Sequence, residues 1–278
     1  MASKTWFVTG ASAGIGRVVT EQLLERGDRV AAIARRPEVL SELADRFGDR
    51  LWTAPLDVTD TKALNDTVER TFADLGRIDV VYSNAGRGSA GAAEEMTVAS
   101  IDEQIALNMT APIHLLRAVL PHFRAQGGGR FIQMSTMGAH ITTPGASMYH
   151  ASKWGLEGFF ESVIAEVEPF GVGITMVEPG IIRTTFGANL DVAPGMPEYA
   201  DGPAGQIRAY LESVDNVTAE APGDPHKVAT AIIISADSTP APRRLALGSD
   251  AYNAMRAALT SRIVELDAGK QTAASIDF

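Results

Sequence analysis

The stretch "WFVTGASAGIG", residues 6–16, decides how this chain folds. Its first half is aromatic and β-branched and reads as a buried strand. The continuation "IGRVVTEQLLERG" (15–27) places apolar residues at helical spacing and ends on a glycine suited to a helix C-terminus. Gly10, Gly14 and Gly16, with Ser12 and Ile15, fall at the junction. Glycines permit a tight turn that a phosphate can approach closely, and the helix start offers unpaired N–H groups and the positive end of its dipole. Strand, glycine turn and helix in immediate succession predict the opening unit of a parallel α/β sheet.

Outward from that unit the alternation repeats. "RVAAIAR" (29–35) precedes a helix bounded by Pro37 and Gly48, and "LWTAPLDV" (51–58) precedes the helix of 61–76. "IDVVYSNAG" (78–86) precedes a long helical pattern at 100–126, and "GRFIQMS" (129–135) precedes a helix opening at "YHASK" (149–153). "VGITMVEPG" (172–180) is a sixth strand and "RRLALG" (243–248) a seventh. The fold expected is α/β, a Rossmann-type doubly wound parallel sheet of about seven strands with helices on both faces, one domain over 1–278. Residues 183–224, rich in Ala, Gly and Pro, break the alternation and predict a mobile lid over a substrate site. Residues 225–278 supply C-terminal helices and the last strand.

Composition excludes several classes. A net charge of -10 sets the chain against nucleic acid or an anionic membrane surface as main partner. With no cysteine, disulfides, thiolate chemistry and Cys-ligated zinc are out. His114, His122, His140, His150 and His226 lack metal-ligand spacing, so no metal is expected. No apolar segment is long enough to span a bilayer and "MASKTWFVTG" lacks a leader pattern, so a cytoplasmic location is expected.

Two further details concern chemistry. A dinucleotide site that prefers NAD carries an acidic residue at the end of its second strand. Here Ala34 is followed by Arg35 and Arg36, whose guanidiniums suit a 2′-phosphate, so NADP(H) is the expected cofactor. Tyr149 and Lys153 stand four apart at the start of a helix and so share one face. An ammonium beside a phenol favours the phenolate and would lower a pKa ordinarily about 10, allowing proton exchange at neutral pH.

Taken in order, "TGASAGIG", "LDV" (56–58), "NAG" (84–86), Asn108, Ser135, "YHASK" and "PGIIRT" (179–184) resemble the short-chain dehydrogenase/reductase family. The resemblance implies Tyr149 as general acid/base, Lys153 as the cation that lowers its pKa and holds the nicotinamide ribose, and Ser135 as hydrogen-bond donor to the substrate oxygen. It gives Asn108 the task of anchoring a water that links the lysine to solvent. It places the glycine turn on the pyrophosphate, Ser12 and Arg35 at the 2′-phosphate, and Asp57 and Val58 at the adenine. Asn84, Ala85 and Gly86 would pass beside the adenosine ribose, and Pro179, Gly180, Ile182 and Thr184 would grip the carboxamide.

The tail "LGSDAYNAMRAALTSRIVELDAG" departs from the family's acyl-carrier-protein ketoreductases and is more similar to the 17β-hydroxysteroid and retinol dehydrogenase branch. A homodimer or homotetramer is the family's expectation. Ala13 stands where some NADP-dependent members carry a basic residue, which leaves specificity to Arg35 and Arg36. The activity expected is reduction of a ketone or aldehyde, or the reverse oxidation, on an apolar small molecule under a lid containing Met196 and Tyr199. The competing readings are 3-oxoacyl thioester reduction, for which Arg243 and Arg244 form the one basic cluster late in the chain, and a non-catalytic NADP(H) sensor.

Overall fold

The structure, a computed structural model, describes residues 3–278. Seven parallel strands form one sheet in the order β3-β2-β1-β4-β6-β7-β9. They are β1 (Thr5–Thr9), β2 (Arg29–Ala34), β3 (Leu51–Pro55), β4 (Val80–Ser83), β6 (Gly129–Met134), β7 (Val172–Pro179) and β9 (Arg244–Leu247). A two-residue ribbon, β5 (Ser89–Ala90) with β8 (Asp191–Val192), stands apart from the sheet. The order reverses on either side of β1, and the crevice at the carboxyl ends of β1 and β4 is where such a sheet takes ligands.

Period-two alternation within apolar strands fills both faces. Trp6 and Val8 join one core with Val19 and Leu23 of α1 (Gly14–Arg26) and Val228 and Ile232 of α8 (Pro225–Ser235). Phe7 points the other way, into a core with Leu64 of α3 (Thr61–Leu75), Leu115 of α5 (Ala111–Ala125) and Phe160 of α6 (Ser147–Val167). Helix α2 (Ser41–Phe47) covers the edge beside β3 through the buried Leu43. The single helix expected at 100–126 is instead α4 (Val98–Ile105), a π-turn at Ala106–Thr110 and α5. Asn108 lies in that π-turn, fully buried.

The segment 183–224 is more ordered than its composition predicts. It carries β8, helix α7 (Pro203–Glu212) and a bridge between Ile182 and Gly223. The chain then runs through α9 (Ser249–Ala268) and α10 (Lys270–Ala274). Among the described residues no helix is long and apolar enough to cross a membrane.

Candidate active site

The glycine turn is built for close approach. Gly10 and Gly14 have φ of +65° and +53°, a region that favours glycine. A Cβ on Gly16 would lie 2.3 Å from the Gly10 carbonyl oxygen, so no side chain fits where α1 begins. Asn84 braces this turn: Nδ2 donates to the Thr9 and Gly10 carbonyls at 3.1 and 3.3 Å, and Tyr82 OH donates to Oδ1 at 3.0 Å. The amides of Asn84 and Ala85 both donate to Thr9 Oγ1. Helix α1 starts at Ala13 with no side-chain cap and no acidic residue in its first turn, leaving its N–H groups and dipole for an anion. Thr184 lies opposite, 3.9 Å from where a Gly14 Cβ would stand. The cradle fits a pyrophosphate.

At the adenosine end a hollow of about 370 Å³ is lined by Arg35, Pro55, Leu56, Asp57, Asp60 and Ala63. Hydrogen bonds from Thr59 and the nearby charge of Arg35 hold the Asp57 carboxyl below its usual range. Arg35 and Arg36 are exposed, and among the described residues neither is within salt-bridge distance of a carboxylate.

The chemistry gathers where β6 ends. Tyr149, Lys153 and Glu157 form one stripe along α6, each four residues from the next. They meet three successive residues of the chain leaving β6. Lys153 Nζ donates to the Met134 carbonyl at 3.0 Å, the Ser135 hydroxyl donates to Glu157 Oε1 at 2.5 Å, and the Thr136 side chain lies beside the Tyr149 phenol, close enough to lower its pKa. The hydroxyl of Ser135, the residue expected at the substrate oxygen, is here engaged by Glu157. The cause is backbone geometry: Thr136 is extended, with φ -171° and ψ 156°, and successive side chains of an extended chain point to opposite sides. The hydroxyl beside Tyr149 is that of Thr136, which the sequence reading overlooked although alternation along "QMST" held the signal. Thr136 Oγ1 also accepts from the Gly138 amide at 3.1 Å, leaving its proton for the phenol.

A second correction concerns the phenol itself. Burial raises the Tyr149 pKa, and the neighbouring Thr136 side chain opposes this without reversing it. Lys153 is not among the groups that act on the phenol, so the lowering expected from it is absent and desolvation decides the direction. Lys153 responds to burial in the opposite sense and is pulled down to about 8, the Glu157 charge working against the fall. Phe186, from the segment after β7, faces the Tyr149 ring at 6.1 Å between centroids.

Sequence comparison agrees with this arrangement. The profile of the short chain dehydrogenase family matches residues 4–194. The chain belongs to that family. It is 36% identical over 250 residues to the oxidoreductase BOA17 of Botryotinia fuckeliana, covering 90% of each chain. It is 32% identical over 197 residues to a 3-ketodihydrosphingosine reductase of Bacteroides thetaiotaomicron, covering 70% of this chain and 71% of that one. A crystal structure of a short-chain dehydrogenase from Streptomyces avermitilis superposes with a TM-score of 0.91 at 36% identity over the full length of both. Other solved neighbours of the fold are complexed with NAD or with NADP.

In this family member the remaining expected residues fall around the same crevice. Asn108 Oδ1 accepts from the Arg87 amide at 3.0 Å and Nδ2 donates to the Arg87 carbonyl at 2.8 Å, which fixes the chain just after Gly86. Pro179 ends β7, and Gly180 leaves no room for a side chain because a Cβ would lie 2.2 Å from Asp250 Oδ1. Asp250 Oδ2 accepts from the Ile181 amide at 2.8 Å, so the start of α9 holds the turn that carries Ile182 and Thr184. Farther along α9, Arg262 donates to the His140 carbonyl and lies 4.3 Å over the Trp154 ring. Helix α9 therefore touches both the turn after β7 and the loop after Thr136.

The segment 183–224 is tied to the body of the fold. The buried Glu95 carboxylate accepts from the amides of Ala92 and Met196 at 2.7 and 2.8 Å and from Arg208 Nη1 at 2.6 Å. Those two amides hold it below the ordinary carboxylate range. Tyr199 OH donates to Glu94 at 2.8 Å and adds a second tie. Phe186, which faces the Tyr149 ring, packs with Leu190 against Gly88, where a Cβ would lie 2.5 Å from Leu190 Cδ2. A separate surface hollow of about 550 Å³ beside His150 and Trp154 includes neither Tyr149 nor Thr136.

Sequence spacing also gave no hint of a buried ionic group behind the site. His140 Nε2 lies 2.9 Å from Glu178 Oε1 and 3.4 Å from Glu157 Oε2. Arg244 Nε lies 3.1 and 3.4 Å from the same two carboxylates, and its Nη2 is 3.2 Å from Glu161. Hydrogen bonds to Glu157 and Glu178 raise His140 to about 9. The His140, Glu157 and Glu178 ligand atoms lie within 4.8 Å of one another, but Arg244 already supplies a cation there, so the group reads as an ion-pair network.

Proposed function

We propose that the chain is an NADP(H)-dependent oxidoreductase that interconverts an apolar ketone or aldehyde with its alcohol. The observation that carries this reading is the meeting of Tyr149, Thr136 and Lys153 at the end of β6, under the Phe186 wall. When bound, the nicotinamide supplies or accepts the hydride. The residues do the rest. Burial keeps the proton on Tyr149 at neutral pH, the form needed to protonate a carbonyl oxygen during reduction. Thr136 donates to the same position and steadies charge developing on that oxygen. Lys153, buried and anchored on Met134, is placed to hold the ribose hydroxyls of the cofactor.

Neighbours take NAD or NADP, and the preference for NADP(H) rests on Arg35 and Arg36 at the rim of the adenosine hollow. An exposed guanidinium pair without a carboxylate partner suits a 2′-phosphate. The apolar substrate class follows from Phe186 and Leu190, and one relative is by name a reductase of a ketone, 3-ketodihydrosphingosine. Thioester reduction is disfavoured because Arg244, half of the basic pair offered for an acidic carrier, is committed to Glu157, Glu161 and Glu178. The test is consumption of NADPH and NADH with aliphatic ketones, aryl ketones, steroids, retinal and acetoacetyl-CoA. The reading requires turnover of an apolar carbonyl with NADPH favoured. Turnover of the thioester alone, or equal use of both cofactors, would overturn the corresponding part.

A further inference from the structure

Resting on the carbonyl chemistry proposed above, we infer that Glu157 is a third member of the α6 stripe: a positioning residue that keeps the Lys153 ammonium charged and, through Ser135, fixes the strand end presenting Thr136. The motif read as Y-x-x-x-K is on this view Y-x-x-x-K-x-x-x-E.

The geometry gives Glu157 two directions of action. Toward the strand, its Oε1 accepts from Ser135, the residue between Met134, which Lys153 holds, and Thr136, which lies beside the Tyr149 phenol. The Ser135 amide donates to the Val177 carbonyl at 2.7 Å, so main chain and side chain of this one residue are both tied. Along the helix, Glu157 stands one turn beyond Lys153 and adds a negative charge to a buried ammonium that burial alone would neutralise.

The surroundings are arranged to keep Glu157 ionised. Burial pushes its carboxyl up, but hydrogen bonds from His140 and Ser135 and the charge of Arg244 bring it below the ordinary value. Glu178, on β7, is pushed up by burial and shares both cations. The charged groups facing the cluster are Glu157 and Glu161 from α6, Glu178 from β7, Arg244 from β9, His140 from the loop after β6, and Lys153. Arg262 of α9 reaches only the His140 carbonyl. The buried carboxylates Glu157 and Glu178 stand against His140 and Arg244, with Glu161 60% exposed at the rim, and Lys153 is a further buried cation that feels the Glu157 charge. A buried ammonium is disfavoured when a neighbouring negative charge is removed, so neutralising Glu157 lowers the pH at which Lys153 gives up its proton.

The experiment follows Lys153 directly. The chain has five lysines, Lys4, Lys62, Lys153, Lys227 and Lys270, so side-chain 13C-labelled lysine gives a spectrum in which Lys153 is assigned by its loss in K153M. In the intact protein the Lys153 signal should titrate near pH 8. E157Q, which keeps an acceptor for Ser135 but removes the charge, should move the midpoint to lower pH and move the alkaline limb of kcat with it. S135A should leave the midpoint in place. An unmoved midpoint in E157Q, or an equal displacement in S135A, overturns the inference. Should E157Q fail to fold, E157D carries the test: with charge kept and reach lost, it should hold the midpoint while kcat falls, and a displaced midpoint or an unchanged kcat counts against the assignment. The titration needs no substrate, so its failure is distinguishable from failure to find a carbonyl that turns over.

Discussion

Replacing Thr136 by valine and Ser135 by alanine separates the two hydroxyls that follow β6. Thr136 lies beside the Tyr149 phenol, where it lowers the pKa, and caps the Gly138 amide. Valine keeps its shape and removes both interactions. Losing a donor aimed at the developing oxyanion lowers kcat by about 10²–10³, or roughly 3–4 kcal/mol of barrier. Losing the cap costs about 1 kcal/mol of stability. Ser135 is 3% exposed and donates to a buried carboxylate. Its removal costs roughly 1.5–3 kcal/mol of stability, a bond to a charged group, while kcat stays within about tenfold because no contact with the reacting oxygen is lost. At about 2–4 °C per kcal/mol for a domain of this size, S135A melts several degrees lower than the parent and T136V a few. The assay is steady-state NADPH oxidation beside a thermal melt for each variant. A hundredfold loss of kcat in S135A, with T136V still near the parent rate, would refute the assignment and return the catalytic role to Ser135.

Three further outcomes are expected. Arg35→Ala should raise KM for NADPH by about 10–100-fold, as befits a lost charge-assisted bond, and leave KM for NADH within a few-fold; equal losses contradict the phosphate role. His140 is raised in the folded state to about 9 from 6.5, so its contribution is complete below pH 6.5 and is lost as pH climbs through 9, an upper bound of about 3 kcal/mol. Melting temperature should therefore fall between pH 6.5 and 9.5 in the parent and less steeply in His140→Gln, and parallel curves would contradict this. Glu95→Gln weakens the bonds to Arg208 and to the Met196 amide, so the lid should be cut faster by a protease between 191 and 212, with KM for the carbonyl raised; unchanged cleavage would show that the β5–β8 ribbon alone holds the segment.

Much of this architecture was legible in the residues because local patterns sufficed. All seven main strands and the glycine turn follow from alternation and from glycine's tolerance of positive φ, a property of Gly10 and Gly14 themselves. Stripe geometry along α6 likewise follows from helical periodicity, which correctly put Tyr149 and Lys153 on one face. Other features depend on partners distant in sequence. Whether Ser135 or Thr136 faces Tyr149 is fixed by the extended backbone and by a carboxylate at Glu157, 22 positions away. The direction of the Tyr149 shift depends on how deeply the fold buries it, which spacing does not reveal. Residues 183–224 read as a mobile lid because they are rich in Ala, Gly and Pro and break the alternation, yet Glu95 and Glu94 pin that segment across more than a hundred positions. The His140 cluster draws on four elements, so no window of sequence contains it.

The most direct test of the central claim is Tyr149→Phe, measured for NADPH binding and for carbonyl turnover. The phenol oxygen is the one group the chemistry cannot replace, and the ring itself stays to pack against Phe186. The account predicts a Kd for NADPH within a few-fold of the parent and turnover reduced to background. Turnover that persists near the parent rate with binding intact would contradict it.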